Sequence, residues 1–250
     1  MKIRWLGTAS VEIESNGTRL LFDPYMRHLS RELPAFPREA LAEANAIFIT
    51  HPHLDHFADI KEVLSETAAP VYVCPRGLRN APEQAERLTA IAAGDRINVG
   101  GMTVTAYQAR HCVFDAKTIL SVLGRGLGRR FVPLAKVLRQ HLRFGIGEKD
   151  IYAYRISDGE RNVILFGSAG MDENEKYPEE ADLAVWPYQG RSDMYLWSVP
   201  MLRRLKPKKV MLTHFDDAFP PMSSDVDCGR MLRDKRFSAF QPRFGYWYRL

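Results

Sequence analysis

The chain has 250 residues, 46% of them hydrophobic and 26% charged, with 17 Gly, 15 Pro and a formal net charge of +5. That length lies near the upper limit of one hydrophobic core, and the composition excludes collagenous, low-complexity and disordered classes. Apolar runs such as Ala46-Ile47-Phe48-Ile49 are too short to span a bilayer, and Met1-Lys2-Ile3-Arg4-Trp5 reads as a strand without the apolar core of a signal peptide. Cys74, Cys112 and Cys228 cannot all pair and lack zinc-knuckle spacing, so a reducing cytoplasm is the expected setting.

In chain order, residues 2–6, 11–14 and 18–23 read as a β-meander with Asn16-Gly17 as its hairpin turn. A loop containing Pro34 and Pro37 leads to a helix over 38–44 and an apolar strand over 46–50. The strand stops at His51-Pro52-His53-Leu54-Asp55-His56. A helix over 59–66, a short strand over 71–74, a second helix over 81–91 and a strand over 102–110 follow, the last ending at His111. Further on, strands are expected at 151–157, 162–166, 182–186, 209–213 and 244–249, with a helix at 194–205 bent or begun at Pro200. Strands and helices recur in two comparable halves without a linker, so a single α/β domain over 1–250 is expected.

The positive charge is not spread along this pattern. Residues 115–150 hold eight Lys or Arg against three acids, which leaves 27 basic and 27 acidic residues elsewhere. All of the excess therefore sits in one segment. Phe131, Leu134, Ala135, Leu138 and Leu142 fall on one helical face there, flanked by Lys136, Arg139 and Arg143 and approached through Gly124, Gly126 and Gly128. The expectation is a basic helical insertion, either a packed amphipathic helix or a lid over a cleft that admits an anionic small molecule. Contact with RNA or an anionic membrane surface is a weaker alternative, because aromatic interleaving and an RNA-binding motif are both missing.

The chemistry is concentrated in the histidines. Residues two apart in an extended stretch point the same way, so His51 and His53 can grip one ion, and the turn into the next helix swings Asp55 and His56 towards a second position. A solvated loop would have to tolerate three imidazoles and a carboxylate crowded together without a cation. Imidazole with carboxylate suits zinc or another first-row divalent ion and does not suit calcium.

These residues resemble the metallo-β-lactamase superfamily. The likeness runs through Ile3-Arg4-Trp5-Leu6-Gly7-Thr8-Ala9-Ser10, Leu21-Phe22-Asp23-Pro24, the His-rich loop, His111 and Leu212-Thr213-His214, and is nearer to its lactonase and phosphodiesterase branch than to the antibiotic-degrading enzymes. It implies a four-layer αβ/βα sandwich. Carried over by position, His51, His53 and His111 would form a first metal site, and Asp55, His56 and His214 a second. The family's bridging Asp is replaced by Ser168, a neutral hydroxyl, with Asp172 four residues on and out of register. One tightly held ion, most simply zinc with manganese or iron as alternatives, and a weaker second site are therefore expected. Thr8 stands where many relatives have His, and Arg191, beside the comparable Pro187 and Gly190, is a candidate anion clamp or a loop-capping arginine.

The implied function is a metal-dependent hydrolase attacking a small, anionic ester, lactone or phosphodiester with a metal-bound hydroxide, Asp55 orienting it or moving a proton. The alternatives are an RNA-processing nuclease of the same superfamily, or a metal-binding protein without catalysis. Cys112 reads as a packing residue, and Tyr195, Trp197 and Phe219 as a cleft wall or an oligomer interface, with no sequence feature choosing between them.

Overall fold

The computed structural model describes residues 1–27, 33–126, 150–216 and 226–250. Two seven-stranded mixed sheets face each other. The first contains β1 (Lys2–Trp5), β2 (Val11–Ser15), β3 (Thr18–Phe22), β4 (Ala46–Phe48), β5 (Val71–Val73) and β6 (Leu88–Ala90), closed at the other edge by β14 (Tyr248–Arg249). The second runs β13 (Ala239–Phe240), β12 (Val210–Thr213), β11 (Leu183–Pro187), β10 (Asn162–Phe166), β9 (Tyr152–Ser157), β8 (Met102–Gln108) and β7 (Arg96–Val99). Helices α1 (Glu39–Ala42), α2 (Leu54–Phe57), α3 (Ile60–Glu66) and α4 (Pro75–Asn80) belong to the first half, and α5 (Ala116–Gly126), α6 (Met194–Leu205) and α7 (Gly229–Arg233) to the second.

Strand alternation explains the layering. In β3 and β4, Leu20, Phe22, Ala46 and Phe48 enter the core between the sheets, whereas Leu21 and Ile47 join Leu41, Phe57, Ile60 and Val63 of the helices in a second core. Period-two side chains thus give each strand two buried faces, the requirement of an αβ/βα sandwich. The expected β-meander is present, with Asn16 and Gly17 both at positive φ as a tight primed hairpin turn demands.

Near one end the sheets are tied together directly. Phe22, Phe48 and Tyr154 pack with ring centroids 5.4 to 5.8 Å apart, and the Tyr154 hydroxyl donates to the Ile49 carbonyl at 2.8 Å. Tyr152 N–H donates to the Thr50 carbonyl at 2.9 Å. Strand β4 is thereby fixed against the second sheet just where the histidines begin.

Several elements differ from the sequence expectation: α4, α7 and β13 have no counterpart in it, the strand expected over 244–249 is only Tyr248–Arg249, and three more follow. The helix expected over 81–91 is a 3-10 turn, Pro82–Arg87, followed by β6, whose Thr89 pairs with Tyr72; sheet pairing at a vacant edge overrides local helix propensity. Strand β7 is polar and alternates weakly, which hid it. Gly124 and Gly126 lie within α5, so a helix begins at Ala116, before the glycines read as a flexible approach. The apolar face from Phe131 to Leu142, Arg129, Arg130, Lys136, Arg139, Arg143, Gly128 and Phe219 lie outside the described residues.

Candidate metal centre

The functional side chains gather at the carboxyl ends of β4, β8, β10, β11 and β12. In an α/β sheet this edge is where loops diverge and leave room for a ligand. His51 follows β4, and His53 occupies the N-cap of α2 with extended backbone, φ −77° and ψ 163°. The single turn of α2 then places Asp55 and His56 side by side. His111 follows β8, Ser168 follows β10 and His214 follows β12.

Six of these residues form two groups of three, His51 with His53 and His111, and Asp55 with His56 and His214. Within each group one potential ligand atom per residue lies within 4.8 Å of the others. The ring centroids of His51 and His56 are 4.0 Å apart, so the two groups adjoin. His51, His53, Asp55 and His56 are buried while His111 and His214 are half-buried, which leaves one side of the centre open to solvent.

Outer partners decide which ring nitrogen faces inward. Asp23, fully buried, accepts from Thr50 N–H at 2.7 Å and from the Thr50 hydroxyl at 2.6 Å, and its Oδ2 lies 2.8 Å from His56 Nδ1. The Thr50 hydroxyl oxygen is 3.0 Å from His51 Nδ1, and His111 Nδ1 faces the Cys112 carbonyl at 2.8 Å. With each Nδ1 engaged as donor, Nε2 is the lone-pair nitrogen. Among the described residues His51 Nε2 is buried without a hydrogen-bond partner. A buried acceptor of that kind is costly unless something binds it.

The charge states of His51 and His111 agree with a ligand role. Burial, reinforced by the surrounding imidazoles, pushes His51 well below the usual histidine range, and burial also lowers His111. Both are held neutral, as a metal ligand must be. Burial alone would push the Asp55 carboxyl up, but His56 and the hydrogen-bonded His214 outweigh it and hold Asp55 well below the usual carboxylate range. Burial likewise opposes a charge on His56, where Asp23 and Asp55 prevail and raise it. Asp55 Oδ2 lies 2.6 Å from His214 Nε2 and 3.7 Å from His56 Nε2, three donor atoms brought together around one position. Three nitrogens in one group and two nitrogens with a carboxylate in the other fit a first-row divalent ion.

The remaining sequence candidates are placed differently. The Ser168 hydroxyl accepts from Cys112 N–H at 3.0 Å, next to His111. Asp172 accepts from Arg110 Nε at 3.1 Å and from Asn174 N–H, apart from both groups. Arg191 donates to both oxygens of Asp193, at 2.6 and 3.0 Å, and to the Val113 carbonyl at 2.6 Å, while stacking 4.5 Å over Trp197. Of the two readings of Arg191 these contacts favour the loop-capping one, because the fork that would hold an anion is engaged by Asp193 and Val113. Cys112 is 3% exposed within the core, a packing position. Tyr195 and Trp197 pack against the main core from α6, and the Trp197 indole donates to the Ala169 carbonyl at 2.5 Å.

Sequence reasoning missed Thr50 and Gly167 and gave Asp23 no role. A Cβ on Gly167 would stand 2.0 Å from Thr50 Oγ1, so only glycine lets the loop after β10 pass the Asp23–Thr50 hub. The small residues of Gly167-Ser168-Ala169-Gly170 after an apolar strand were the available signal.

Comparison with known proteins shows the family. Residues 18–215 match the sequence model of the beta-lactamase superfamily domain. The chain belongs to the metallo-β-lactamase superfamily. A UPF0173 metal-dependent hydrolase of Pyrobaculum arsenaticum is 40% identical over 73 residues, 28% of this chain and 31% of the relative. One from Rhizobium etli is 30% identical over 160 residues, 61% of this chain and 65% of the relative. The chain thus spans less than two thirds of either relative. Igni18, a metallo hydrolase from Ignicoccus hospitalis, is similar in structure with a TM-score of 0.65 at 13% identity, over 100% of this chain and 98% of that one. Such a likeness at low identity shows the shared fold.

Proposed function

We propose that this protein is a metal-dependent hydrolase that cleaves a small, anionic ester, lactone or phosphodiester. The observation that carries this reading is the pair of three-donor groups, with His51 Nε2 buried and without a hydrogen-bond partner among the described residues. His51, His53 and His111 would hold one ion, and Asp55, His56 and His214 a second. A divalent ion so held supplies Lewis acidity towards a carbonyl or phosphoryl oxygen and a water acidic enough to attack near neutral pH. Zinc is the simplest occupant of such donor sets, with manganese or iron as alternatives.

The chain's own residues do the rest. Asp55, whose carboxyl His56 and His214 hold well below the usual carboxylate range against the cost of burial, accepts a hydrogen bond at Oδ2 and would orient the attacking water. Asp23 and Thr50 hold His51 and His56 in the tautomer that turns Nε2 inward. The half-exposed Phe114 ring stands 5.9 Å from His111 and forms an apolar wall at the open side. Ser168 contributes no negative charge, which supports one tight ion and a weaker second; the same feature supports the second reading, a metal-binding protein without catalysis. Three buried, unpaired cysteines support a reducing, cytoplasmic setting, and among the described residues no helix is long and apolar enough to cross a membrane.

Hydrolysis of bis-aryl phosphodiesters, aryl esters and lactones by the zinc-loaded protein, with His53→Ala as control, separates the two readings. Turnover that His53→Ala abolishes is the expected result. Equal inactivity of both proteins with metal retained by the wild type would overturn the enzyme reading.

A further inference from the structure

His214 differs from the other anchored histidines of the centre. His51, His56 and His111 each have Nδ1 engaged, by Thr50, Asp23 and the Cys112 carbonyl, whereas His214 Nδ1 is buried with no hydrogen-bond partner among the described residues. Ligand histidines are ordinarily oriented through that nitrogen. His214 is held instead through Nε2, 2.6 Å from Asp55 Oδ2, and through its backbone.

The backbone there is unusual on both sides of one contact. His214 has φ +56°, and its N–H donates at 2.8 Å to the carbonyl of Thr8, which itself has φ +47°. A β-branched residue in the left-handed region is a true outlier and persists only where its surroundings over-determine it. Thr8 meets that condition. Its N–H and its hydroxyl both donate to Asp216 Oδ2, at 3.2 and 2.8 Å, and its carbonyl also accepts from the Trp5 indole at 2.9 Å. The Trp5 ring lies 4.7 Å from Phe215, between His214 and Asp216. The segment 214–216 is thus clasped at both ends by one residue of the Gly7-Thr8 turn.

Asp216 brings a second feature. It is 4% exposed and its Oδ1 is buried with no hydrogen-bond partner among the described residues. A buried, half-satisfied carboxylate in that position favours a nearby cation electrostatically, and Ser168 leaves such charge in short supply.

We propose that Thr8 and Asp216 form a latch that positions His214 through its backbone, and that the latch sets the affinity of the Asp55, His56 and His214 group for its ion. Thr8 and Asp216 act here as positioning residues and touch no ion. The proposal rests on the metal-centre reading. It assigns Thr8 a purpose that a turn residue alone does not need, since glycine would adopt its φ without strain.

Cobalt(II) titration of chelator-stripped protein, followed by visible absorption, tests it with Thr8→Ala, Thr8→Ser and Asp216→Asn. Ala and Ser both relieve the β-branch, but only Ser keeps the hydroxyl. The expected result is that the first equivalent binds all four proteins alike, while the second binds Thr8→Ala and Asp216→Asn at least about tenfold more weakly and Thr8→Ser like the wild type. Undiminished second-equivalent binding by both Thr8→Ala and Asp216→Asn would overturn the latch and leave the metal centre standing. Wild-type protein that takes up no cobalt would overturn the metal centre and the latch with it.

Discussion

His56 presents Nδ1 to the buried carboxylate of Asp23 at 2.8 Å. Asp23 also takes both hydrogen-bond donors of Thr50, so one carboxylate fixes the end of β4 and a histidine one helical turn beyond it. Asp23→Asn should keep the fold, because Asn tolerates the φ of +45° found here. It should weaken metal affinity by about 10- to 100-fold, since the amide nitrogen cannot accept from His56 or Thr50. Competition with a chromophoric chelator reads the change, and unchanged affinity would remove Asp23 from the centre's support.

Gly167 offers a steric test of the same hub. Alanine there would drive a Cβ to 2.0 Å from Thr50 Oγ1 and 2.2 Å from Thr50 Cβ, inside a packed core. Gly167→Ala is expected to cost about 1–3 kcal/mol of stability, the usual range for overpacking, and to weaken metal uptake as Thr50 shifts. Gly101→Ala, whose Cβ meets nothing within 4 Å, is the neutral control in the same denaturant titration. Equal stabilities of the two variants would contradict the close approach.

These two residues show why the site was only partly legible in the sequence. Imidazoles and a carboxylate at period-two spacing after an apolar strand have few structural explanations, and His51, His53, Asp55 and His56 do stand together in the fold. The roles of Asp23, Thr50 and Gly167 depend on contacts across 27 residues or more, which no local pattern encodes. The meander was readable because alternation and Asn-Gly report a hairpin locally. Strand β6 was not, because its identity comes from its neighbour β5.

Arg191 distinguishes a staple from an anion clamp. As a staple it joins the loop after β11 to the loop after β8, with Ser192 N–H adding a bond to Asp115 at 3.1 Å. Arg191→Ala should then speed hydrogen exchange in both loops, and Arg191→Lys should not rescue it, because an ammonium cannot bridge two oxygens of Asp193 and the Val113 carbonyl with the same fork. Unaltered exchange together with weakened binding of anionic substrates would restore the clamp.

The cysteines should be inert in the folded state. Burial pushes the Cys74 thiol up to about 11 and the Cys228 thiol up to about 12, so near pH 8 the reactive thiolate is scarce in both. A thiol-specific disulfide reagent added near that pH should detect almost no reaction in native protein and all three thiols after denaturation. Rapid native reaction would show that these positions are accessible.

Proton competition gives the sign of the pH effect on the centre. Histidine ligands must be neutral to bind, and burial lowers His51 and His111, so the ion should be held through the ordinary histidine range and released only on further acidification, to about pH 4, with the loss reversing on neutralisation if the fold survives. Metal content after gel filtration at each pH reads this, with far-ultraviolet circular dichroism reporting the fold. Retention of the ion at the lower pH would argue against a mainly imidazole ligand set.

The most direct test of the central claim is the metal content of wild-type protein and of His51→Ala after equilibrium dialysis against buffered zinc. The account expects one tightly held equivalent in the wild type, a weaker second equivalent at higher free zinc, and loss of the tight one in His51→Ala. Wild-type protein without bound zinc, or His51→Ala retaining as much as the wild type, would contradict it.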